Sequence, residues 1–189
     1  MTNVAMDAAQ AYFRRLGEII ESVDLGALDD VASLFDRARR TGSTIFFIGN
    51  GGSASTASHF ATDVGVGSLS DEQPFRVLSL TDNSAVMTAT ANDHHYDHVF
   101  VRQLRVLARP DDVLVAISAS GNSPNLIRAI EYAKTVPMTC VALTAFDGGE
   151  MRKAADLCLH VPTEVGEYGP AEDVHLMLNH ALSQHLRGS

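Results

Sequence analysis

Hydrophobic positions change their spacing along the chain at about residue 44. Between residues 5 and 40 they recur every three or four positions, which is typical of helices that bury one face. They form two such groups, Ala8–Ile20 and Leu28–Ala38. We therefore predict a pair of helices before the first strand. Such a pair either packs against another subunit or covers one face of a sheet.

After Thr44, short apolar runs alternate with longer amphipathic segments. The runs lack polar alternation, as expected for strands covered on both sheet faces. They predict strands at Thr44–Ile48, Phe75–Leu80, Asp112–Ile117, Met138–Thr144 and Leu157–Val161. Helices are predicted at Ser53–Val64, Ser84–Ala91, His98–Leu107, Pro124–Lys134, Glu150–Ala154 and about Ala171–Leu186. This order indicates an α/β fold, a doubly wound five-stranded parallel sheet with an N-terminal helix pair.

Composition narrows the class of protein. With 189 residues, 46% of them hydrophobic and 20% charged, the chain fits a single soluble domain over residues 1–189. A net charge of −9 argues against a nucleic-acid partner. No apolar run is long enough to span a membrane and no signal pattern opens the chain, so we expect a cytoplasmic protein. Cys140 and Cys158 fall in predicted strands and are expected to be buried, without a disulfide.

A glycine-rich turn follows the first predicted strand, with the sequence GNGGS at residues 49–53. Glycines allow positive φ angles and a close approach of the backbone to a ligand. Ser53 is a candidate N-cap, and a helix start offers free N–H groups and a positive dipole end. This predicts an anion site, with phosphate as the usual anion. A purely structural turn is about as common, because the sequence matches neither GxGxxG nor the P-loop.

A second turn of this kind follows the third predicted strand. It carries hydroxyls at Ser118, Ser120 and Ser123, and Pro124 suits the first helical position. No basic side chain is present, so neutral donors and a helix dipole would hold a phosphate. Serine-rich loops are often only turns. Two loops at the carboxyl ends of parallel strands nevertheless favour a shared ligand site.

Histidines and carboxylates supply candidate chemistry on two predicted helices. His59 and Asp63 are four residues apart and share a face, either as a surface pair or as functional groups. The last segment carries Glu172 and His180, which are eight residues apart. On a regular helix that spacing is about 12 Å, too far for one ion to bind both tightly. Glu172 would have to lie in the preceding loop or in a strained first turn.

The turn between the two loops in sequence is AND-HHYD, residues 91–97. Asn92 and Asp93 either shape this turn or bind a sugar hydroxyl, and turn formation is favoured. Asp97 is predicted to cap a helix that starts at His98. The histidines at 94, 95 and 98 are expected to belong to a solvated turn rather than to a metal site.

Five segments occur in the order GNGGSAS, ANDHHYDHVF, ISASGNSPN, ALTAFDGG and EDVHLMLNH. Together they resemble the sugar isomerase (SIS) domain, most closely the phosphoheptose (sedoheptulose-7-phosphate) isomerase family. The resemblance covers almost the whole chain. It implies the SIS fold and an aldose–ketose isomerase that converts sedoheptulose 7-phosphate to glycero-manno-heptose 7-phosphate through an enediol(ate). It also implies a homotetramer, with residues 1–42 in the subunit interface and active sites between subunits.

The resemblance also implies a set of functional residues. The implied substrate-binding positions are Asn50, Gly51, Gly52, Ser53, Asp93, Ser118, Ala119, Ser120, Ser123 and Glu172. Zn²⁺ or another divalent metal is implied at His59, Asp63, Glu172 and His180. Asp63 is the implied base, with Glu172 as the alternative, and His180 is the implied acid.

Four positions depart from the family pattern. Asp63 stands where the family has Glu, Glu172 where it has Gln, Ala119 where it has Thr, and Gly67 where it has Arg. These departures leave open an isomerase of a different sugar phosphate. A non-catalytic SIS module of the DnaA initiator-associating type is a further alternative. The retained His180 and the carboxylate at position 63 favour an enzyme over that module.

Overall fold

The computed structural model describes residues 4–69 and 73–188. The strands are β1 Thr44–Gly49, β2 Arg76–Ser79, β3 Val113–Ser118, β4 Thr139–Ala145 and β5 Leu157–Val161. The helices are α1 Val4–Glu21, α2 Leu25–Thr41, α3 Gly52–Gly65, α4 Ser84–Asp93, α5 Val101–Leu107, α6 Pro124–Thr135, α7 Gly149–Ala154 and α8 Tyr168–Leu186. A 3₁₀ turn spans Tyr96–His98. Within these ranges no helix is both long and apolar enough to cross a membrane.

The strands form one parallel sheet in the order β2-β1-β3-β4-β5. This confirms the predicted five-stranded parallel sheet, and each strand lies within two residues of its predicted bounds. The chain winds outward from β1 in both directions. The switch point therefore lies between β1 and β3, where doubly wound sheets bind ligands beyond the strand ends. Both predicted anion loops begin there.

Each face of the sheet is covered by its own apolar layer, because successive strand residues point to opposite faces. Phe47 belongs to the layer shared with α1, α2, α3 and α8, where its ring stacks on Phe60 at 5.2 Å. Phe46 belongs to the opposite layer, with Phe100 and with helix α6. Cys140 is buried in β4, as predicted, whereas Cys158 is only partly buried in β5, and both are free thiols.

The two N-terminal helices differ in how they are used. Helix α2 buries five residues in the core and ends at Gly42, whose φ of 70° closes the helix. It therefore covers the sheet, which was one of the two predicted roles. Helix α1 buries only Leu16 and Ile19. It is joined to the start of α8 by an Arg15–Glu167 ion pair of 2.9 Å.

The predicted N-cap at Ser53 is wrong. Helix α3 begins one residue earlier, with Gly51 as its N-cap at a φ of 54°, and no side chain caps it. A backbone with that φ needs glycine. Ser53 therefore lies inside the first turn, where it is buried.

The predicted cap at Asp97 is also wrong. Helix α5 starts at Val101 rather than at His98, because the residues before it form the 3₁₀ turn. The Asp97 carboxylate instead forms an ion pair with Arg128 on α6, with 2.7 Å between Oδ2 and Nε. The carboxylate that was predicted to cap a helix is therefore paired with a cation on a neighbouring helix.

Candidate active site

Helices α3 and α8 bring His59, Asp63 and His180 into one cluster. His59 Nε2 lies 3.3 Å and His180 Nε2 lies 3.7 Å from Asp63 Oδ2, and the two imidazole nitrogens are 3.4 Å apart. The carboxylate is 15% exposed, whereas both imidazoles face solvent. The predicted pair on α3 is thus part of a three-residue cluster, which His180, 117 positions after Asp63 in the sequence, completes.

The cluster fits a divalent metal ion. Zinc binds imidazole nitrogen and carboxylate oxygen at about 2.0–2.2 Å in a tetrahedron, so neighbouring ligand atoms lie about 3.3–3.5 Å apart. The three measured separations are close to that value. Two imidazoles and one carboxylate also leave a fourth position for water or substrate, as in catalytic zinc sites.

Glu172 lies apart from this cluster within the chain. Helix α8 begins at Tyr168, so Glu172 is already inside a regular helix, about 12 Å of helical rise before His180. Its carboxylate lies against the first turn of α3, where a side chain at Gly52 would collide with it. The cluster that could hold one ion among the described residues contains His59, Asp63 and His180 but not Glu172, as the eight-residue spacing indicated for a regular helix. The carboxylate covers the positive end of α3 instead.

The two predicted loops are tied together by a pair of side-chain amides. Asn50 Nδ2 donates to Asn125 Oδ1 at 3.0 Å, and Asn125 Nδ2 donates back to Asn50 Oδ1 at 2.9 Å. Tyr96 also donates to Asn50 Oδ1, at 3.0 Å. Asn125 is 2% exposed and was missed by the sequence analysis. The sequence shows that Asn125 follows Pro124 at the start of a helix, but it does not show that its partner is Asn50, 75 residues away.

The second loop presents hydroxyls around an open helix start. Ser118 Oγ and Ser120 Oγ are 3.4 Å apart and accept from the backbone N–H groups of residues 121 and 122. Ser123 is the N-cap of α6, as predicted, but its hydroxyl makes no capping hydrogen bond. Ala119 is buried in the core and offers no polar side chain. This helix start remains available to an anion, unlike the start of α3.

The turn after α4 borders the first loop, since Tyr96 reaches Asn50 from it. Asn92 and Asp93, which were predicted to shape this turn, are instead the last two residues of α4; Asn92 donates to Asp93 at 3.0 Å, and both side chains are exposed. His94 and His95 are exposed as well. The metal-binding cluster found among the described residues contains none of the histidines of this turn.

Two further features surround the histidine cluster. Asn179, which is fully buried, donates from Nδ2 to Asp63 Oδ2 at 2.8 Å. A cavity of about 630 Å³ is lined by Asp63 and His180. Its remaining lining residues are Ser183, Gln184, Arg187 and Gly188. A small polar molecule in this cavity can contact the carboxylate and the imidazole together.

Known proteins match this chain in sequence and in fold. The SIS domain family matches residues 11–145. The phosphoheptose isomerase of Rhodospirillum rubrum is 36% identical over 170 residues, covering 90% of this chain and 87% of that protein. That of Mycobacterium tuberculosis is 41% identical over 147 residues, covering 78% and 74%. The structure of phosphoheptose isomerase from Neisseria gonorrhoeae matches over the whole of both chains, with 31% identity and a TM-score of 0.90. The chain therefore belongs to the phosphoheptose isomerase family of SIS-domain proteins.

Proposed function

We propose that this protein converts sedoheptulose 7-phosphate to glycero-manno-heptose 7-phosphate through an enediol(ate). Relatives named phosphoheptose isomerase support the reaction, at 36% and 41% identity. The observation that carries the proposal is the convergence of Asp63 with His59 and His180 beside a cavity. A binding module has no need of a carboxylate and two imidazoles within 4.8 Å of one another.

The substrate phosphate binds at the second loop in this proposal. The hydroxyls of Ser118, Ser120 and Ser123 and the open start of α6 supply neutral donors and a positive dipole end. Asn50, Gly51, Gly52, Ser53 and Asp93 then contact the sugar from the neighbouring loop and turn. Because Glu172 already occupies the start of α3, a second negative charge is disfavoured there.

Asp63 and His180 carry the proton transfers. Asp63 removes a proton from the carbon beside the carbonyl and returns it to the carbonyl carbon, while His180 protonates the carbonyl oxygen and then takes the proton of the neighbouring hydroxyl. Asp63 Oδ2 and His180 Nε2 lie 3.7 Å apart, so the two groups can reach neighbouring atoms of one substrate. Asn179 and the imidazoles all face Oδ2. Oδ1 makes no hydrogen bond within the described ranges, so it can serve as the base.

The metal proposed for this site is Zn²⁺ or a similar divalent ion, which would be held by His59 Nε2, Asp63 Oδ2 and His180 Nε2, so that Asp63 Oδ1 and His180 Nδ1 carry the proton transfers when it is bound. When bound, such an ion supplies Lewis-acid stabilisation of negative charge on the substrate oxygens. Glu172 can join these ligands only from a neighbouring subunit, because about 12 Å of helix separates it from His180 in its own chain.

A homotetramer with active sites between subunits is the proposed assembly. Helix α1 exposes Met6, Phe13 and Ile20 at 52%, 68% and 44%, every seventh position along one stripe. A seven-residue apolar repeat is the seam by which helices pair with other helices. The cytoplasm is the proposed location, since a charged sugar phosphate does not cross a membrane unaided.

The test is turnover by purified protein. The protein is stripped with a chelator, resupplied with Zn²⁺ or left without metal, and mixed with sedoheptulose 7-phosphate, fructose 6-phosphate or ribulose 5-phosphate. We expect an aldose product from the heptulose, with more turnover when Zn²⁺ is present. Turnover of a different sugar alone would change the substrate. No turnover of any sugar, together with binding to an initiator protein, would identify a non-catalytic module.

A further inference from the structure

Asn179 is a polar side chain in an apolar part of helix α8. It is fully buried and lies one residue from Leu178 and three from Leu182, both of which belong to the core. A buried amide is tolerated only when its donors and acceptors are satisfied. Here Nδ2 donates to Asp63 Oδ2 at 2.8 Å, and Oδ1 accepts from Ser183 Oγ at 3.3 Å. The amide therefore links the core to the active-site carboxylate.

The direction of this hydrogen bond is fixed by chemistry. An ionised carboxylate only accepts hydrogen bonds, so the NH₂ end of the amide must face Asp63. The Ser183 hydroxyl donates to the other end of the amide, which holds the plane of Asn179 in place. The three side chains form a short chain of donors that ends on Oδ2.

The oxygen that Asn179 holds is also the oxygen that both imidazoles face. Asp63 Oδ2 lies 3.3 Å from His59 Nε2 and 3.7 Å from His180 Nε2. Without a donor on the core side, the carboxyl group could rotate about its Cβ–Cγ bond, a torsion with a broad minimum. A short aspartate has few other ways to fix its head group.

We infer that Asn179 is a positioning residue, which holds Asp63 Oδ2 towards the two imidazoles and leaves Oδ1 turned to the substrate. The inference rests on the metal site proposed above. Partners that orient a metal ligand contribute about 10–100-fold to metal affinity or activity. Asn179 would act entirely through Asp63, since its NH₂ group makes no hydrogen bond to His59 or His180.

The experiment measures Zn²⁺ affinity by competition with a chromogenic chelator, which needs no turnover. Asn179→Leu keeps the branched shape but removes the donor. It is combined with Asp63→Ala in a double-mutant cycle. Asn125→Leu is the matched control, because Asn125 is an equally buried amide, 2% exposed, that pairs with Asn50 and not with the cluster.

We expect Asn179→Leu to weaken Zn²⁺ binding about 10-fold or more in the wild-type background, and less than twofold when Asp63 is already alanine. We also expect kcat to fall while KM for the sugar phosphate stays within about twofold. Asn125→Leu should keep wild-type Zn²⁺ affinity. Asn179→Ser, whose hydroxyl is too short to reach Asp63, replaces Asn179→Leu if the larger side chain prevents folding.

Other results would overturn the inference. Equal losses of affinity in both backgrounds would show that Asn179 acts through the fold and not through Asp63. Unchanged Zn²⁺ affinity in folded Asn179→Leu or Asn179→Ser would remove the positioning role while leaving the proposed metal site intact. A wild-type protein that binds no Zn²⁺ would overturn both. Absence of turnover with normal Zn²⁺ binding would overturn the proposed reaction alone.

Discussion

Asp63 is the residue whose geometry matters most to the proposed chemistry. The resemblance implies a glutamate at this position, and an aspartate, one methylene shorter, would place its oxygens about 1.5 Å away on an unchanged backbone. The carboxylate nevertheless lies 3.3 Å and 3.7 Å from the two imidazoles. The aspartate at this position therefore still lies beside both imidazoles, so the departure does not remove the cluster.

Replacing Asp63 with asparagine tests its role as the base. The change keeps the size of the side chain but removes its ability to accept a proton. We expect kcat on sedoheptulose 7-phosphate to fall about 10²–10⁴-fold, the usual contribution of a general base, with little change in KM. Steady-state kinetics measures both. Asp30→Asn, at an exposed position of α2, is the matched control and should behave like wild type. A loss of less than about tenfold in Asp63→Asn would assign the base elsewhere.

Glu172 offers a second test at the residue scale. Its carboxylate lies at the start of α3, next to the loops proposed to hold the substrate anion. Glu172→Gln removes one negative charge from this region, so we expect KM for the sugar phosphate to fall about two- to fivefold. We expect kcat to stay within about threefold, because Asp63 is the assigned base. A 100-fold loss of kcat would instead make Glu172 the base, the alternative that the sequence left open.

At the scale of elements, the close approach of α8 to α3 forms the site. Helix α3 is rich in Gly, Ala and Ser, and Glu172 fits against it only because position 52 has no side chain. The same approach lets an aspartate on α3 meet a histidine on α8. Helix α8 is held in turn by the Arg15–Glu167 ion pair to α1 and by His175, which packs on β4.

His175 predicts how the packing of α8 depends on pH. The imidazole is fully buried, and Nε2 lies 3.2 Å from the Thr144 carbonyl oxygen. Burial lowers the pKa of His175 to about 4 from 6.5. Between about pH 6.5 and pH 4, His175 is therefore protonated in the unfolded chain but neutral in the folded chain. This contribution to stability is complete above pH 6.5 and is lost as the pH falls towards 4, by about 3 kcal/mol.

Urea unfolding at pH 7.5 and pH 5 measures this effect. The variant His175→Gln carries no titrating group at this position, so the drop in unfolding free energy between the two pH values should shrink by about 2 kcal/mol. His95→Gln, at an exposed position, should keep the wild-type drop. An unchanged drop in His175→Gln would show that other groups cause the acid sensitivity. The hydrogen bond from Arg15 lowers the pKa of Glu167 to about 2, so this carboxylate stays ionised at both pH values.

At the scale of the whole molecule, periodicity predicted the sheet but could not predict the site. The order of short apolar runs and amphipathic segments depends on local patterning, and it placed all five strands correctly. The cluster of His59, Asp63 and His180 depends on how α8 packs on α3, which no local pattern reports. The start of α8 was predicted too late, because Pro170 is tolerated in the first turn of a helix. Glu172 consequently lies beyond the first turn of the helix.

The exposed stripe of α1 leads to a prediction about assembly. Phe13 is 68% exposed and lies between Met6 and Ile20 on the proposed seam, so a charge there would have to be buried in a helix interface. We expect Phe13→Asp to reduce the proposed tetramer to dimers or monomers in size-exclusion chromatography with light scattering. Turnover should fall with it, because the proposed sites lie between subunits.

Val106→Asp introduces the same charge at an 83% exposed position of α5 and should leave the mass unchanged. A tetramer that survives Phe13→Asp would move the interface away from α1, and a fully active monomer would show that one chain contains the complete site.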